Sequence, residues 1–191
     1  MAQSLRSRIN ATKEILHMEP IVVEAYSYKH KMSEWFTYGE MIKSARAIRE
    51  GIINEPNEAQ FNNLKALCKN VLDPIRNGLD NSVLVGSGLR VVKLNTLVGG
   101  SKKSQHRYGE AADFDVVGYN TTEVYEWVIL ESDIVYDQII HEFGDDGWIH
   151  ISFTSRYPNR MRNTVAMKVN GKTRYTHYTK QQISNGDYVH A

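Results

Sequence analysis

Cysteine is almost missing from this sequence: Cys68 is the only one in 191 residues. An internal disulfide is therefore excluded, as is a zinc cluster of the thiolate finger type, so any bound metal must be held by His, Asp or Glu. No run approaches the roughly 20 apolar residues that span a bilayer, and the opening MAQSLRSRINATKEILHMEP lacks the apolar core of a secretory signal. Together these absences give the expectation of a soluble chain made in the cytoplasm, with no membrane association and a separate route of release to any target outside. An excess of one charge is lacking too, since 23 Lys and Arg face 22 Asp and Glu for a formal net charge of +1. That balance argues against a concentrated phosphate-binding face, so nucleic acid is not an expected partner. There is neither an internal repeat nor a low-complexity linker.

What is present suits one compact domain with a core of its own, at 41% hydrophobic and 24% charged residues. Nothing demands more than a monomer. Residues 1–33 show no sustained period and read as an N-terminal arm. Thr37 and Glu40 then have capping-box spacing, with Phe36 and Met41 placed as a staple, which predicts a helix to about Glu50 that ends at Gly51. Asn57 and Gln60 repeat the start signal. Phe61, Leu64, Leu67, Cys68, Val71, Leu72 and Ile75 follow at spacings of three and four, the buried face of a long helix, which makes Cys68 a core residue.

Ser82 to Gly86 reads as a short buried strand, and the glycines at 86, 88, 99, 100 and 109 mark a long structured loop. Ala112 to Val117 reads as a strand in which Asp113 and Asp115 share one face. Asn120 and Glu123 start a third helix through Trp127. Asp133–Phe143 and Trp148–Phe153 read as a hairpin, and Asn170-Gly171 predicts a type I′ turn in a second one. Helices first and strands later favour an α+β fold with helices packed on an antiparallel sheet.

Chemistry concentrates in Ser104-Gln105-His106-Arg107-Tyr108-Gly109-Glu110-Ala111-Ala112-Asp113 and in Trp148-Ile149-His150-Ile151-Ser152. His106 closes a glycine-rich loop, Asp113 opens a strand and His150 lies within another, so the three could meet on one sheet surface. Two imidazoles and a carboxylate suit zinc and leave a fourth tetrahedral position for water, whose acidity at the metal makes peptide hydrolysis the natural reaction. Each residue taken alone is equally readable as a satisfied polar side chain.

Ser104-x-His106-x-x-Gly109-x-Ala111-x-Asp113 followed by Trp148-x-His150 resembles the signature of the D-Ala-D-Ala carboxypeptidase and VanY-type zinc peptidases. That family includes phage endolysins and is related in fold to the signalling domain of hedgehog proteins. Ser87-Gly88-Leu89-Arg90, with Leu94-Asn95 and Val98-Gly99-Gly100, resembles the segment before the motif in one branch. The resemblance implies a zinc peptidase domain over 34–178, followed by a tail over 179–191, acting on the peptide stems of bacterial peptidoglycan. It implies His106, Asp113 and His150 as metal ligands, Arg90 for substrate or oxyanion charge, and Ser104 for substrate or for holding its loop. It also suggests a phage or prophage lysis enzyme, released to the wall or carried in the virion.

The chain departs from better-known members at the catalytic base, a glutamate three residues before the last histidine, because Gly147 stands there. A three-residue turn at Asp145-Asp146-Gly147, ending in a left-handed glycine, would set Glu142 opposite His150 and make it the base. A two-residue turn would set His141 there instead and pass the role to His141 or Asp146. Asp115 reads as a surface carboxylate that could alternatively orient a ligand, and His17, His30, His177 and His190 read as exposed. Arg156, Arg160, Arg162, Lys168, Lys172 and Arg174 could touch anionic wall polymers or form a solvated edge. A non-catalytic zinc-containing binding module on the same fold is the rival reading.

Overall fold

The computed structural model describes residues 26–189. Of the arm expected over 1–33, only the last part therefore lies among the described residues, and His17 and His190 lie outside them.

The first capping box forms, with Thr37 N donating to Glu40 Oε2 at 2.8 Å. The single helix expected from it does not. α1 (Tyr38–Ile42) stops where Lys43 turns extended at ψ 131°, and α2 (Ala45–Arg49) starts afresh because Ser44 Oγ accepts from Ala47 N at 3.2 Å. Serine bonds its own backbone readily enough to divide a short helix.

The second box forms reciprocally: Asn57 Oδ1 accepts from Gln60 N at 2.9 Å, and Asn57 N donates to Gln60 Oε1 at 2.8 Å. It opens α3 (Glu58–Leu67), which runs through a π turn (Cys68–Leu72) into α4 (Asp73–Gly78). The face picked out by periodicity, from Phe61 to Ile75, is buried throughout.

The segment expected as a long loop carries two helical pieces, α5 (Val92–Leu97) and a 3-10 turn (Gln105–Tyr108), set between β1 (Val83–Ser87) and β2 (Ala111–Val116). Then come α6 (Thr121–Glu126) with a π turn (Trp127–Glu131), β3 (Gln138–Glu142), β4 (Trp148–Ser152), β5 (Arg162–Val169), β6 (Lys172–Tyr178) and α7 (Lys180–Ser184).

The six strands form one sheet in the order β1-β2-β4-β3-β5-β6. Its pairs are antiparallel except β3 with β5, which run parallel because the connection from β4 passes the start of β3 before entering β5. The expected antiparallel α+β architecture stands with that one amendment. Asn170 and Gly171 both take positive φ, 50° and 75°, as a type I′ turn requires.

Strand alternation divides the sheet into two unlike faces. Ala112, Phe114, Ile139, Ile149, Ile151 and Val165 share one face and join the helices in a single core. Met32 belongs to that core, as do Ile183 and Tyr188 from the segment read as a tail, so packing continues past both boundaries drawn at 34 and 178. Leu67 is fully buried at the C-terminal end of α3, where the helix runs into the π turn. Its replacement, Leu67→Ala, is expected to cost about 2–5 kcal/mol in chemical denaturation, whereas a loss under about 1 kcal/mol would show that the apolar face of α3 does not anchor the core.

Candidate metal centre

The opposite face of the sheet carries the polar chemistry. β2 and β4 pair so that Asp113 stands opposite His150. Ala112, Phe114, Ile149 and Ile151 are held in the core, so both polar side chains between them must project to the other side. Neither strand can turn its polar residue inward without exposing its apolar neighbours.

His106 arrives from the 3-10 turn, which α3 fixes in place. Gln60 Nε2 donates to Arg107 O at 2.7 Å, and Asn63 Nδ2 donates to Tyr108 O at 2.9 Å. Gly109 ends the turn in the left-handed region at φ 70°, and a Cβ there would stand 2.5 Å from Gln60 O. Only glycine satisfies both the angle and the space. The ring is oriented from behind, since Nδ1–H donates to Gly88 O at 2.7 Å and leaves the Nε2 lone pair pointing forward.

That lone pair meets two others. His106 Nε2 lies 3.1 Å from both Asp113 Oδ1 and His150 Nδ1, and His150 Nδ1 lies 2.8 Å from Asp113 Oδ1. Three donor atoms this close, with His106 and His150 buried, call for a hydrogen on an imidazole nitrogen or a cation among them, and together they form a set that could hold a metal ion. Ligand atoms of a tetrahedral zinc lie roughly 3.3 Å apart, so the triangle fits such an ion with little adjustment. Burial holds His106 below the ordinary histidine range, which favours the neutral form, the one able to offer a lone pair to a metal. Burial works to raise the Asp113 carboxyl, but the attraction of the adjoining His106 and His150 imidazoles whenever they carry a proton outweighs it and holds the group well below its usual range.

The cluster lies in a cleft of about 650 Å³ whose lining includes Arg90, Ser104, Glu142 and Trp148. Arg90 does more than face the cleft: its Nη2 donates to Asp113 Oδ2, while Nε donates to Ser87 Oγ at 2.8 Å. The register shift between Val85 and Ser87 brings Ser87 beside Asp113 for this purpose. Ser104 caps the 3-10 turn, with Arg107 N donating to its carbonyl at 3.1 Å.

The β3–β4 hairpin settles the geometry of the candidate bases. The expected three-residue turn is absent: Phe143 to Gly147 connect the strands, and Ile140, not Glu142, stands opposite His150. The left-handed residues are Phe143 and Gly144, at φ 67° and 83°. This correction moves the register by two residues and therefore preserves the face, so Glu142, opposite Trp148, still points into the cleft beside His150. Burial pushes its carboxyl above the ordinary value, with His150 acting in the opposite sense.

His141 points the other way, buried in the core with Nε2 3.0 Å from Thr122 Oγ1. Asp146 is exposed in the connection and does not line the cleft. At Gly147 a Cβ would stand 1.6 Å from Glu142 O, so this hairpin has no room for a glutamate there. Asp115 is exposed, and the polar neighbours of the two imidazoles are Gly88 O, Asp113 and each other.

Sequence reasoning missed several contributors. The Gly88 carbonyl carries no side-chain signal at all. His177 is exposed as read, yet it also lines the cleft. So do Arg156 and Arg160, for which the sequence leaves open a contact with anionic polymers or a solvated edge.

A family model described as Peptidase M15 matches residues 34–152, from just before α1 to the end of β4, and the matched stretch contains His106, Asp113 and His150. Comparison with curated proteins gave no match.

The buried position of His106 leads to a direct measurement. In the metal-free protein its imidazole is expected to titrate below 6.5 when followed by NMR, remaining neutral as the pH falls past the point where exposed histidines have taken up a proton. A midpoint at or above that value would contradict the burial argument.

Proposed function

Because the chain belongs to the peptidase M15 family, we propose that it hydrolyses peptide bonds in the stems of bacterial peptidoglycan, with His106, Asp113 and His150 holding zinc and Glu142 carrying the proton. The observation that supports this most is the meeting of three lone-pair atoms on the floor of a cleft that Glu142 also lines. Zinc held there would supply Lewis acidity, polarising a peptide carbonyl and acidifying a water.

The chain's own residues divide the remaining work. Glu142 accepts the proton of the attacking water and returns it to the leaving amine nitrogen. Its half-buried setting favours this, because a carboxyl above its ordinary value holds a proton more readily than an exposed one. Arg90 anchors Asp113 through Nη2 and Ser87 through Nε, which leaves Nη1 for the negative charge of substrate or oxyanion. Ser104, at the head of the 3-10 turn, borders the same cleft and contacts the substrate backbone. Trp148 forms a wall beside His150. The setting that suits such an activity is a phage or prophage lysis enzyme, a reading supported by the motif's resemblance to a family that includes endolysins.

Substitutions should separate the parts. His106→Ala is expected to lose zinc in a metal-content assay together with cleavage. Glu142→Gln should keep zinc and lose about 10²–10⁴-fold in the rate of stem-peptide cleavage followed by mass spectrometry. Cleavage by Glu142→Gln at the wild-type rate would remove Glu142 from the mechanism. A wild-type protein that binds zinc and cuts no stem peptide would leave a binding module in place of a peptidase.

A second experiment addresses the departure at position 147. Adding Gly147→Glu to Glu142→Gln is expected to restore no activity and to lower the melting temperature, because the new Cβ collides with the Glu142 carbonyl. Recovery of cleavage would show that the hairpin relaxes to accept a base there.

A further inference from the structure

Two buried carboxylates stand behind the cleft wall, and each grips an arginine. Glu110 Oε1 accepts from Arg156 Nε at 2.7 Å and from Thr154 Oγ1 at 2.7 Å, while Oε2 accepts from Arg156 Nη2 at 2.7 Å. Asp137 Oδ1 accepts from Arg160 Nε at 2.9 Å, and Oδ2 accepts from Arg160 Nη2 at 2.5 Å and from Gln105 Nε2 at 3.0 Å. Both acidic side chains are 0% exposed, and both arginine side chains are 47% exposed. The exposed parts line the same cleft as His106, Glu142 and His150.

In each pair the Nε and Nη2 edge is spent on the carboxylate behind, which leaves the Nη1 edge for the cleft. The Arg156 guanidinium also lies over the Tyr108 ring at 4.5 Å, which further fixes its plane. Holding the 153–161 crossover does not by itself call for two buried carboxylates, because apolar residues of similar volume do that as well or better. What the pairs add is rigid presentation of guanidinium forks, the geometry that matches a carboxylate.

We propose that Arg156 and Arg160 form an anion subsite that binds a carboxylate of the substrate peptide, on the side of the metal cluster away from Glu142. The direction follows from the strands. Glu142 stands opposite Trp148 at one end of β4, His150 is central, and Ser152 is at the other end, where Asp137 N donates to Ser152 O at 2.7 Å and Phe153 N donates to Glu110 O at 2.9 Å. Ser152 lies two strand residues, about 7 Å, past His150, which sets the subsite on that side of the metal cluster. The identity of the ligand as a stem peptide rests on the peptidase reading, whereas the anion preference rests on the two arginine forks.

The test is calorimetric binding to zinc-loaded Glu142→Gln protein, using a stem tetrapeptide with free carboxylates and the same peptide fully amidated. The free acid should bind at least tenfold tighter. Glu110→Gln/Arg156→Gln and Asp137→Asn/Arg160→Gln, which neutralise each pair while keeping its shape, should each reduce that preference at least threefold and leave affinity for the amide unchanged. Arg160→Lys, which retains the charge and loses the fork, should also reduce it and serves if a double variant does not fold. Equal binding of the two peptides, no measurable binding of the free acid, or a preference undiminished in all three variants would overturn the proposal. Cleavage by the wild-type protein is assayed separately, so loss of the peptidase reading and loss of the anion subsite give different results.

Discussion

Successive side chains of a strand point to opposite faces, and the pairing of Asp113 with His150 turns that rule into a site. Ile149 and Ile151 have no stable place but the core, as do Ala112 and Phe114 across from them. Once those four are buried, the imidazole and the carboxylate are committed to the other face and to each other's company. Hydrophobic burial on one side of the sheet thereby does the positioning for polar chemistry on the other.

His106 is brought to this pair by different means. A short 3-10 turn has little stability of its own, and here the side chains of Gln60 and Asn63 hold its carbonyls while Gly109 closes it. The ring is then aimed by Gly88 O, on a backbone that approaches Met41 so closely that a Cβ would stand 2.3 Å from its carbonyl. The glycines at 88 and 109 are therefore structural conditions for a histidine that neither of them replaces. The arginine pairs follow the same logic, with buried groups behind the cleft wall fixing the side chains that face it.

The hairpin between β3 and β4 leaves no room for a glutamate three residues before the last histidine. Its connection folds back so tightly that position 147 admits only glycine, and the facing strand supplies a carboxylate from Glu142 instead. A pairing error of two residues leaves every side chain on its own face, whereas an error of one reverses them all. Glu142 was therefore recognisable as a cleft residue although its partner was assigned as His150 in place of Trp148. His141, one position away, lies in the core beside Tyr125 with ring centroids 5.6 Å apart.

Short-range patterns determined a good part of this protein directly. The buried face of α3, the capping boxes at Asn57 and Asn120, the Asn170-Gly171 turn and the alternation around Asp113 and His150 are all consequences of neighbours within a few residues, so they are written in the order of the amino acids. The meeting of His106 with residues on two strands, the break at Lys43, the parallel β3–β5 pair and the closure of the 143–147 connection depend on contacts between distant segments. So do the Gly88 carbonyl behind His106 and the buried acids behind Arg156 and Arg160. Periodicity says which way a side chain faces, but only the packed chain decides what stands in front of it, because that distance is set by how separate segments share one core.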